Sequence, residues 1–271
     1  MKNILILVPL LFSGKMTLMP EHAGRLVLAF LSFSLMSSAV YIINDIKDRE
    51  KDAKHPRKCH RPLASGAVGL AAACVLLALL IVVATILSVC LSLLSTWMVI
   101  LVLFLYFVLN LGYSIHLKHV PVIEVAILAS GFLIRVLYGG YATDIEVSAW
   151  LYLTVLSASF YMGLGKRRNE FEQHSDNDTR RVLKQYSRRF LDRNMYMFLS
   201  LTICFYSLWA MEHGSWALAS VPVVMIACMR YSLIVEEGGD GDPTEVILSD
   251  KLLLVISAGY VIYMITSLYL V

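Results

Sequence analysis

Asn44-Asp45-Ile46-Lys47-Asp48-Arg49-Glu50-Lys51-Asp52 is the polar stretch around which this chain is organised. It follows directly on an apolar segment. If the preceding helix continues through it, Asp45, Asp48 and Asp52 lie at positions i, i+3 and i+7 of one helical face. Such a face can hold Mg²⁺, an ion that takes one or two carboxylates together with substrate phosphates. The stretch therefore predicts a diphosphate substrate, with a solvated helix end of mixed charge as the alternative.

The composition is that of a membrane protein. The chain has 271 residues, of which 58% are hydrophobic, and its mean hydropathy is +0.71. Several apolar runs reach the roughly 20 residues that a helix needs to cross a bilayer, and the alternating segments of a membrane β-barrel are absent. We therefore expect an all-α, polytopic membrane protein that forms one domain over residues 1–271. No nucleic-acid partner is expected, and a homo-oligomer is left open.

The apolar runs predict about nine transmembrane helices. The first 13 residues lack a small-residue cleavage site, so we interpret them as part of the first helix and not as a signal peptide. No Cys/His cluster has the spacing of a zinc site. Helices one and two are predicted over residues 3–12 and 23–44, and residues 67–114 contain helices three and four, separated by a turn at 92–96. Helix five runs from 121 to about 141, helix six ends near 163–165 and helix seven ends near 211. Helices eight and nine cover residues 216–235 and 249–270.

Two polar interruptions contain most of the basic residues. Residues 45–65 include seven Lys or Arg, and residues 166–193 include nine. With nine spans and a cytoplasmic N-terminus, both interruptions face the cytoplasm, as the positive-inside rule requires. We therefore expect both to meet water-soluble substrates at the cytoplasmic face of the cell membrane.

Further charged and polar residues lie within or beside the apolar segments. Glu124 and Arg135 are eleven residues apart on the predicted fifth helix, so they project from one face. This position favours a cavity wall, with a structural pairing as the alternative. After helix six, the cations of Lys166 and Arg167 beside Glu170 could bind phosphate oxygens and a metal, or form a plain surface pair. The end of helix four could line the same cavity or form an interfacial belt, through Tyr106, Asn110, Tyr113, Ser114 and Lys118.

The motif Asn44-Asp45-x-x-Asp48-x-x-x-Asp52 resembles the first aspartate-rich motif of the UbiA superfamily of intramembrane prenyltransferases. Within that superfamily the chain is most similar to the decaprenyl-phosphate phosphoribosyltransferases, over nearly all of its length. The similar stretches are Lys2-Asn3, residues 44–66 with His55-Pro56 and Arg61-Pro62, Asn110-Leu111-x-Tyr113-Ser114-x-x-Leu117-Lys118, Gly131-Phe132-Leu133-x-Arg135, Gly165-Lys166-Arg167-x-x-Glu170, Arg181-Val182-Leu183-x-x-Tyr186, and Asp242-Pro243-Thr244-Glu245 with Asp250.

Two departures from the superfamily pattern bear on these expectations. Related proteins usually begin with additional residues ahead of the pair Lys2-Asn3, which leaves the position of the start site open. Ordinary prenyltransferases carry a second aspartate pair after helix six, where this chain has Lys166-Arg167-x-x-Glu170. This second departure favours the phosphoribosyl branch.

The resemblance implies a UbiA-like helical bundle that uses Mg²⁺ to transfer 5-phosphoribosyl from phosphoribosyl diphosphate to a polyprenyl phosphate. The implied roles are Mg²⁺ on Asp45, Asp48 and Asp52, donor phosphates on Lys58, Arg61, Lys166 and Arg167, and the lipid phosphate on Lys118 or Arg135. Lys2, Asn44, Tyr113, Glu170 and Tyr186 complete the expected substrate-binding set. The alternatives are an aromatic prenyltransferase that binds prenyl diphosphate at the same motif, and a transporter of an anionic metabolite, which does not explain the three aspartates.

Overall fold

The computed structural model describes residues 2–13, 19–54, 58–173, 181–237 and 243–269. Within these ranges the chain is helical and has no strand, which confirms the all-α prediction. The α-helices are α1 (Val8–Phe12), α2 (Met19–Asp52), α3 (Leu70–Leu94), α4 (Met98–Ile115), α5 (Ile123–Thr143), α6 (Ala149–Gln173), α7 (Arg188–Glu212), α8 (Ser215–Ala219), α9 (Val221–Glu236), α10 (Pro243–Ser249) and α11 (Lys251–Tyr269). Short 3₁₀ segments cover Lys2–Leu7, Lys58–His60, Leu117–His119 and Arg181–Gln185.

Fewer than nine of the described helices have both the length and the apolarity of a membrane span. In the described ranges, six helices are long and apolar enough to cross a membrane: Pro20–Asp52, Leu70–Leu94, Met98–Ile115, Ile123–Thr143, Arg188–Glu212 and Ser215–Glu236. The apolar helices Lys2–Phe12 and Lys251–Ser267 are shorter. The count of nine is therefore not confirmed, although the apolar runs themselves are helical.

Three helix boundaries correct the sequence predictions. Helix α6 does not end near 163–165 but continues to Gln173, because its polar end is supported by ion pairs one turn apart such as Arg167 with Glu170. The predicted eighth helix consists of α8 and α9, which are separated only by Ser220 and together form the apolar segment Ser215–Glu236. The predicted ninth begins as α11 at Lys251, capped by Asp250, whose Oδ1 accepts the Leu253 amide at 2.7 Å, and the short helix α10 precedes it where no helix was predicted.

Helix α5 lies at the centre of the bundle. One cluster of buried residues joins it to α2, α3 and α4 through side chains such as Tyr106 and Tyr138. A second cluster joins it to α6, α7, α9, α10, α11 and the segment 182–186. The N-terminal segment packs directly on α5 at Gly139, where a Cβ atom would lie 1.9 Å from the Ile6 carbonyl oxygen. Polar groups on α5 are therefore enclosed from several sides.

The two ends of the bundle are each joined by ion pairs. At the end where α2 and α4 finish and α5 begins, Lys118 Nζ lies 2.6 Å from Asp48 Oδ1. At the opposite end, Arg25 Nη1 lies 2.7 Å from Asp144 Oδ2 and joins the start of α2 to the turn after α5. Most of the residues predicted to form the site lie at the first end, together with the described parts of the two basic stretches.

Candidate functional site

The aspartate face of α2 forms as the spacing predicts. The helix continues through Asp52, so Asp45, Asp48 and Asp52 share one side of its last turns. Arg61, just after the 3₁₀ segment Lys58–His60, contacts the first and last of them. Its Nη1 lies 2.7 Å from Asp45 Oδ1 and 2.8 Å from Asp52 Oδ2. One guanidinium nitrogen thus draws two carboxylates together.

The middle aspartate is held from the opposite direction by a lysine. Lys118 lies in the 3₁₀ segment between α4 and α5, and its Nζ is 2.6 and 2.8 Å from the two carboxylate oxygens of Asp48. Beside it, Lys47 Nζ donates to the Ile115 carbonyl oxygen at 2.8 Å. The ends of α2 and α4 are therefore joined by two contacts, and all three aspartates have a cationic partner.

The donor chemistry of this face fits a hard divalent cation. Carboxylates and amide oxygens are the ligands that Mg²⁺ prefers, and Asn44 Oδ1 is buried without a hydrogen-bond partner. Across the part of the chain that the structure describes, no group of three or more His, Cys, Asp or Glu is arranged to hold a metal ion. The aspartate oxygens instead contact Arg61 and Lys118. A cation that binds these carboxylates therefore competes with Arg61 and Lys118 for their oxygens.

A second charged group forms where α5 begins and α6 ends. Arg167 Nε donates to both carboxylate oxygens of Glu124, at 2.7 and 2.8 Å, and its Nη1 donates to Glu170 Oε2 at 2.5 Å. The side chains of Glu124 and Arg167 are each 1% exposed, whereas that of Glu170 is 23% exposed. Arg167, expected from the sequence to contact donor phosphates, is thus buried between two carboxylates. Glu170 is the member of the group that reaches water.

Tyr186 covers this buried pair. Its hydroxyl accepts the Val122 amide at 2.7 Å and donates to Glu124 Oε1 at 3.4 Å. Burial raises the pKa of the Tyr186 phenol above its ordinary value. The hydroxyl is therefore protonated at neutral pH and can donate to the carboxylate while it accepts from the backbone.

Arg135 lies deeper in the bundle and does not pair with Glu124. Its side chain is buried, and its hydrogen-bond partners are neutral. These are Asn3 Oδ1 at 2.8 Å, the Gly131 carbonyl oxygen at 2.5 Å, Ser37 Oγ at 3.1 Å and the Tyr106 hydroxyl at 3.4 Å. The ring centroids of Phe33 and Tyr106 lie 5.0 and 5.2 Å from Cζ. A buried cation that is held by neutral groups favours the approach of an anion.

The remaining predicted residues lie around these three groups. Lys58 is near enough to Asp45, and Tyr113 to Arg167, for electrostatic interaction. Lys166 is half-buried beside Arg167 on α6, and the half-buried Lys2 precedes Asn3, the partner of Arg135. The motif residues His55-Pro56 and Asp242 lie outside the described residues.

Glu124 contacts Arg167 and Asn3 contacts Arg135, although neither residue was among the predicted site residues. The sequence signals an unusual role for Glu124, since it is an ionised residue in an apolar helix. Its partner, however, lies 43 positions away in the chain, so spacing along α5 did not reveal it. Asn3 was recognised only as part of the pair Lys2-Asn3.

The profile of the UbiA prenyltransferase family matches residues 6–247. The chain belongs to the UbiA prenyltransferase family. Together with the six helices that are long and apolar enough to cross a bilayer, this membership makes the UbiA protein described here an integral membrane protein.

Curated relatives are similar to this UbiA protein over nearly its whole length. A decaprenyl-phosphate phosphoribosyltransferase of Corynebacterium glutamicum is 34% identical over 285 residues, which cover 99% of this chain and 83% of that protein. A decaprenyl-phosphate phosphoribosyltransferase of Mycobacterium tuberculosis is 34% identical over 277 residues, which cover 96% of this chain and 88% of that protein.

Solved UbiA structures share the fold at low sequence identity. A structure from work on digeranylgeranylglyceryl phosphate synthase superposes with a TM-score of 0.71 at 19% identity, covering 100% of this chain and 92% of that one. A UbiA homologue from Archaeoglobus fulgidus, bound to DMAPP and Mg²⁺, gives a TM-score of 0.70 at 16% identity and covers 99% of both chains. The described helices therefore have the UbiA arrangement.

Proposed function

We propose that this UbiA protein transfers a 5-phosphoribosyl group from phosphoribosyl diphosphate to a polyprenyl phosphate and releases diphosphate. The observation that carries the proposal is that Lys166, Arg167 and Glu170 stand where ordinary prenyltransferases have an aspartate pair. A phosphoribosyl donor has a 5-phosphate in addition to its diphosphate, so it needs more cationic contacts than a prenyl diphosphate does. The two phosphoribosyltransferase relatives at 34% identity support the same donor.

The aspartate face of α2 would hold Mg²⁺ through Asp45, Asp48 and Asp52. When bound, the ion neutralises the leaving diphosphate. The cations that contact the carboxylates in the structure, Arg61 and Lys118, would then be available to bind the donor phosphates. This exchange keeps each cation opposite an anion before and after the donor binds, so neither is left unpaired.

The second group orients the donor from the other side. Lys166 is half-buried at the edge of the site and would bind the 5-phosphate, while Glu170 would accept hydrogen bonds from ribose hydroxyls. Arg167 fixes the Glu170 carboxylate through the contact at 2.5 Å. Arg167 cannot swing away without removing the counter-ion of the buried Glu124 carboxylate.

The acceptor needs no dedicated general base. A phosphate monoester with a second pKa of about 6 is largely a dianion at neutral pH. The bond from the anomeric carbon to the diphosphate oxygen breaks, and a bond from that carbon to a lipid phosphate oxygen forms. The diphosphate leaves with the electron pair. Arg135, a buried cation with neutral partners, is placed to attract the lipid phosphate, and the apolar bundle excludes water that would hydrolyse the donor.

The two basic stretches would face the cytoplasm of a cell membrane, following the positive-inside rule. This orientation gives the site access to a soluble sugar phosphate from one side. The polyprenyl chain would lie in the bilayer, against the apolar side chains that the helices expose.

Purified membranes that contain the protein test the proposal. They are incubated with Mg²⁺, labelled phosphoribosyl diphosphate and polyprenyl phosphate, and in parallel with labelled prenyl diphosphate and an aromatic acceptor. Magnesium-dependent label in the lipid fraction of the first reaction is the expected result. Product only from prenyl diphosphate would replace the proposal with an aromatic prenyltransferase, and uptake of donor without any product would replace it with a transporter.

Asp144→Asn provides a matched control for Asp48→Asn in this assay. Each aspartate forms an ion pair with a basic side chain, but Asp144 lies at the opposite end of the bundle. Only Asp48→Asn is expected to lose the labelled product.

A further inference from the structure

The linker between α4 and α5, residues 116–122, ends in a strained turn. Val122 has a φ of 66° and a ψ of −48°, a conformation that β-branched residues rarely adopt. The Ile123 amide donates to the Pro121 carbonyl oxygen at 2.7 Å, which closes a γ-turn of the uncommon type with positive φ at its central residue. Such a conformation persists only where the surrounding structure holds it.

Beside the backbone hydrogen bonds that the Glu124 and Ala126 amides donate to the Val120 and Val122 carbonyl oxygens, a tyrosine hydroxyl contacts this turn. The Val122 side chain is 52% exposed, so its own packing does not fix the backbone. Its amide instead donates to the Tyr186 hydroxyl at 2.7 Å. Tyr186 is itself fixed, because its ring stacks on Phe190 with centroids 5.7 Å apart and the preceding Val182 and Leu183 are buried.

The turn stands between the two charged groups of the site. Four residues before it, Lys118 contacts Asp48 on α2; two residues after it, Glu124 contacts Arg167 on α6. We propose that Tyr186 is a positioning residue for the transfer reaction. By holding the turn, Tyr186 fixes the direction of the linker. It thereby allows Lys118 to contact Asp48 while Glu124 contacts Arg167.

This role differs from direct contact with substrate, which the sequence predicts for Tyr186. The two roles are separable because glycine adopts positive φ without steric cost. If Tyr186 acts by holding Val122 in its strained conformation, Val122→Gly removes the strain and makes the tether unnecessary. If Tyr186 binds substrate, a change at position 122 cannot replace its hydroxyl.

The test compares Tyr186→Phe with the double variant Tyr186→Phe/Val122→Gly in the full-length protein. Tyr186→Phe keeps the ring that stacks on Phe190, so the fold is retained. Val120→Gly in the Tyr186→Phe background is the matched control, because Val120 has ordinary extended angles, φ −98° and ψ 117°. Glycine there adds flexibility to the linker without relieving strain. Tyr196→Phe, which removes a tyrosine hydroxyl bonded to Glu236 outside the site, controls for loss of a hydroxyl.

Two quantities are measured on each variant. The first is hydrogen exchange of the linker amides without ligands, since His119 and Val120 donate within the linker to His116 and Leu117. The second is the KM for phosphoribosyl diphosphate in the presence of Mg²⁺. Tyr186→Phe is expected to raise both by about tenfold, the effect of losing one good hydrogen bond. Adding Val122→Gly is expected to restore the exchange rate and the KM to wild-type values. Adding Val120→Gly to Tyr186→Phe should leave both values raised, and Tyr196→Phe alone should leave both values at those of wild type.

Three outcomes would overturn the inference: Tyr186→Phe with unchanged linker exchange, a KM defect that Val122→Gly fails to restore, or equal rescue by Val120→Gly. The KM measurement rests on the proposed function. The exchange measurement does not, because it needs no substrate. A protein that uses another donor would therefore refute the proposed function and still give a clear answer on Tyr186.

Discussion

The buried pair Glu124–Arg167 provides the sharpest prediction about stability. Glu124→Gln keeps the shape of the side chain but removes its charge, while Arg167 remains 1% exposed. The guanidinium then loses the partner to which Nε and Nη2 donate, at 2.7, 2.8 and 2.6 Å, and keeps only Glu170. We expect a large loss of stability, because a buried charge without its counter-ion is costly.

The magnitude follows from the number of contacts that remain. Removing one partner of a buried ion pair costs about 3–5 kcal/mol, and the amide oxygen of Gln together with Glu170 places this case near the lower end, about 3 kcal/mol. At about 2–4 °C per kcal/mol for a chain of this size, the unfolding midpoint falls by roughly 6–12 °C. Glu170→Gln changes a partly exposed side chain that contacts Arg167 through one oxygen. The expected loss is therefore about 1 kcal/mol of stability and roughly 2–4 °C of the unfolding midpoint.

The assay is thermal unfolding of purified protein in one detergent at one scan rate, with all variants compared under the same conditions. The double variant Glu124→Met/Arg167→Met is the control. Replacing a whole buried ion pair by apolar side chains is often nearly neutral, so it should recover most of the midpoint lost by Glu124→Gln. If Glu124→Gln unfolds within 2 °C of wild type, or if the double variant is as unstable as Glu124→Gln, the unpaired charge of Arg167 is not the cause of the instability.

Three further predictions concern other parts of the molecule. Asp48→Asn lowers Mg²⁺-dependent transfer by about 100-fold or more, whereas Asp144→Asn stays within about twofold; equal rates in a membrane assay would remove Asp48 from the metal site. Arg135→Lys lowers the unfolding midpoint, because an ammonium cannot reproduce the planar contacts of the guanidinium, and an unchanged midpoint would contradict this. Arg230 holds the pKa of Asp250 below its ordinary value, so the ion pair stabilises the fold above about pH 4 and loses its effect as the pH falls further. The difference in midpoint between wild type and Asp250→Asn should accordingly be constant from pH 8 to about pH 5 and shrink in more acidic buffer.

The sequence was sufficient to predict the helical class and the aspartate face. The apolar run before Asn44 and the spacing of the three aspartates are local features, and local periodicity determines which side of a helix a residue occupies. Arg61 and Lys118 were both expected near the substrate. Their contacts with Asp45, Asp52 and Asp48 were not predicted, because rotamers that join distant segments depend on tertiary packing.

Two other features could not be read from the sequence. The end of an apolar run marks where the lipid-facing surface stops, not where the hydrogen-bonded helix stops, so α6 continues through Lys166 and Glu170 as a polar helix. The positive φ of Val122 is also hidden, since glycine or asparagine is the usual signal for such a conformation. It depends on a tyrosine 64 residues further along the chain.

Transfer of an intact 5-phosphoribosyl group to the lipid can be tested with a doubly labelled donor. Purified protein in lipid vesicles is given Mg²⁺, polyprenyl phosphate and phosphoribosyl diphosphate labelled with ³H in the ribose and ³²P in the 5-phosphate. Both labels are expected to enter the lipid fraction in the donor's own ratio, with one diphosphate released for each lipid formed. An unlabelled lipid fraction, or ribose label without the 5-phosphate, would contradict this expectation.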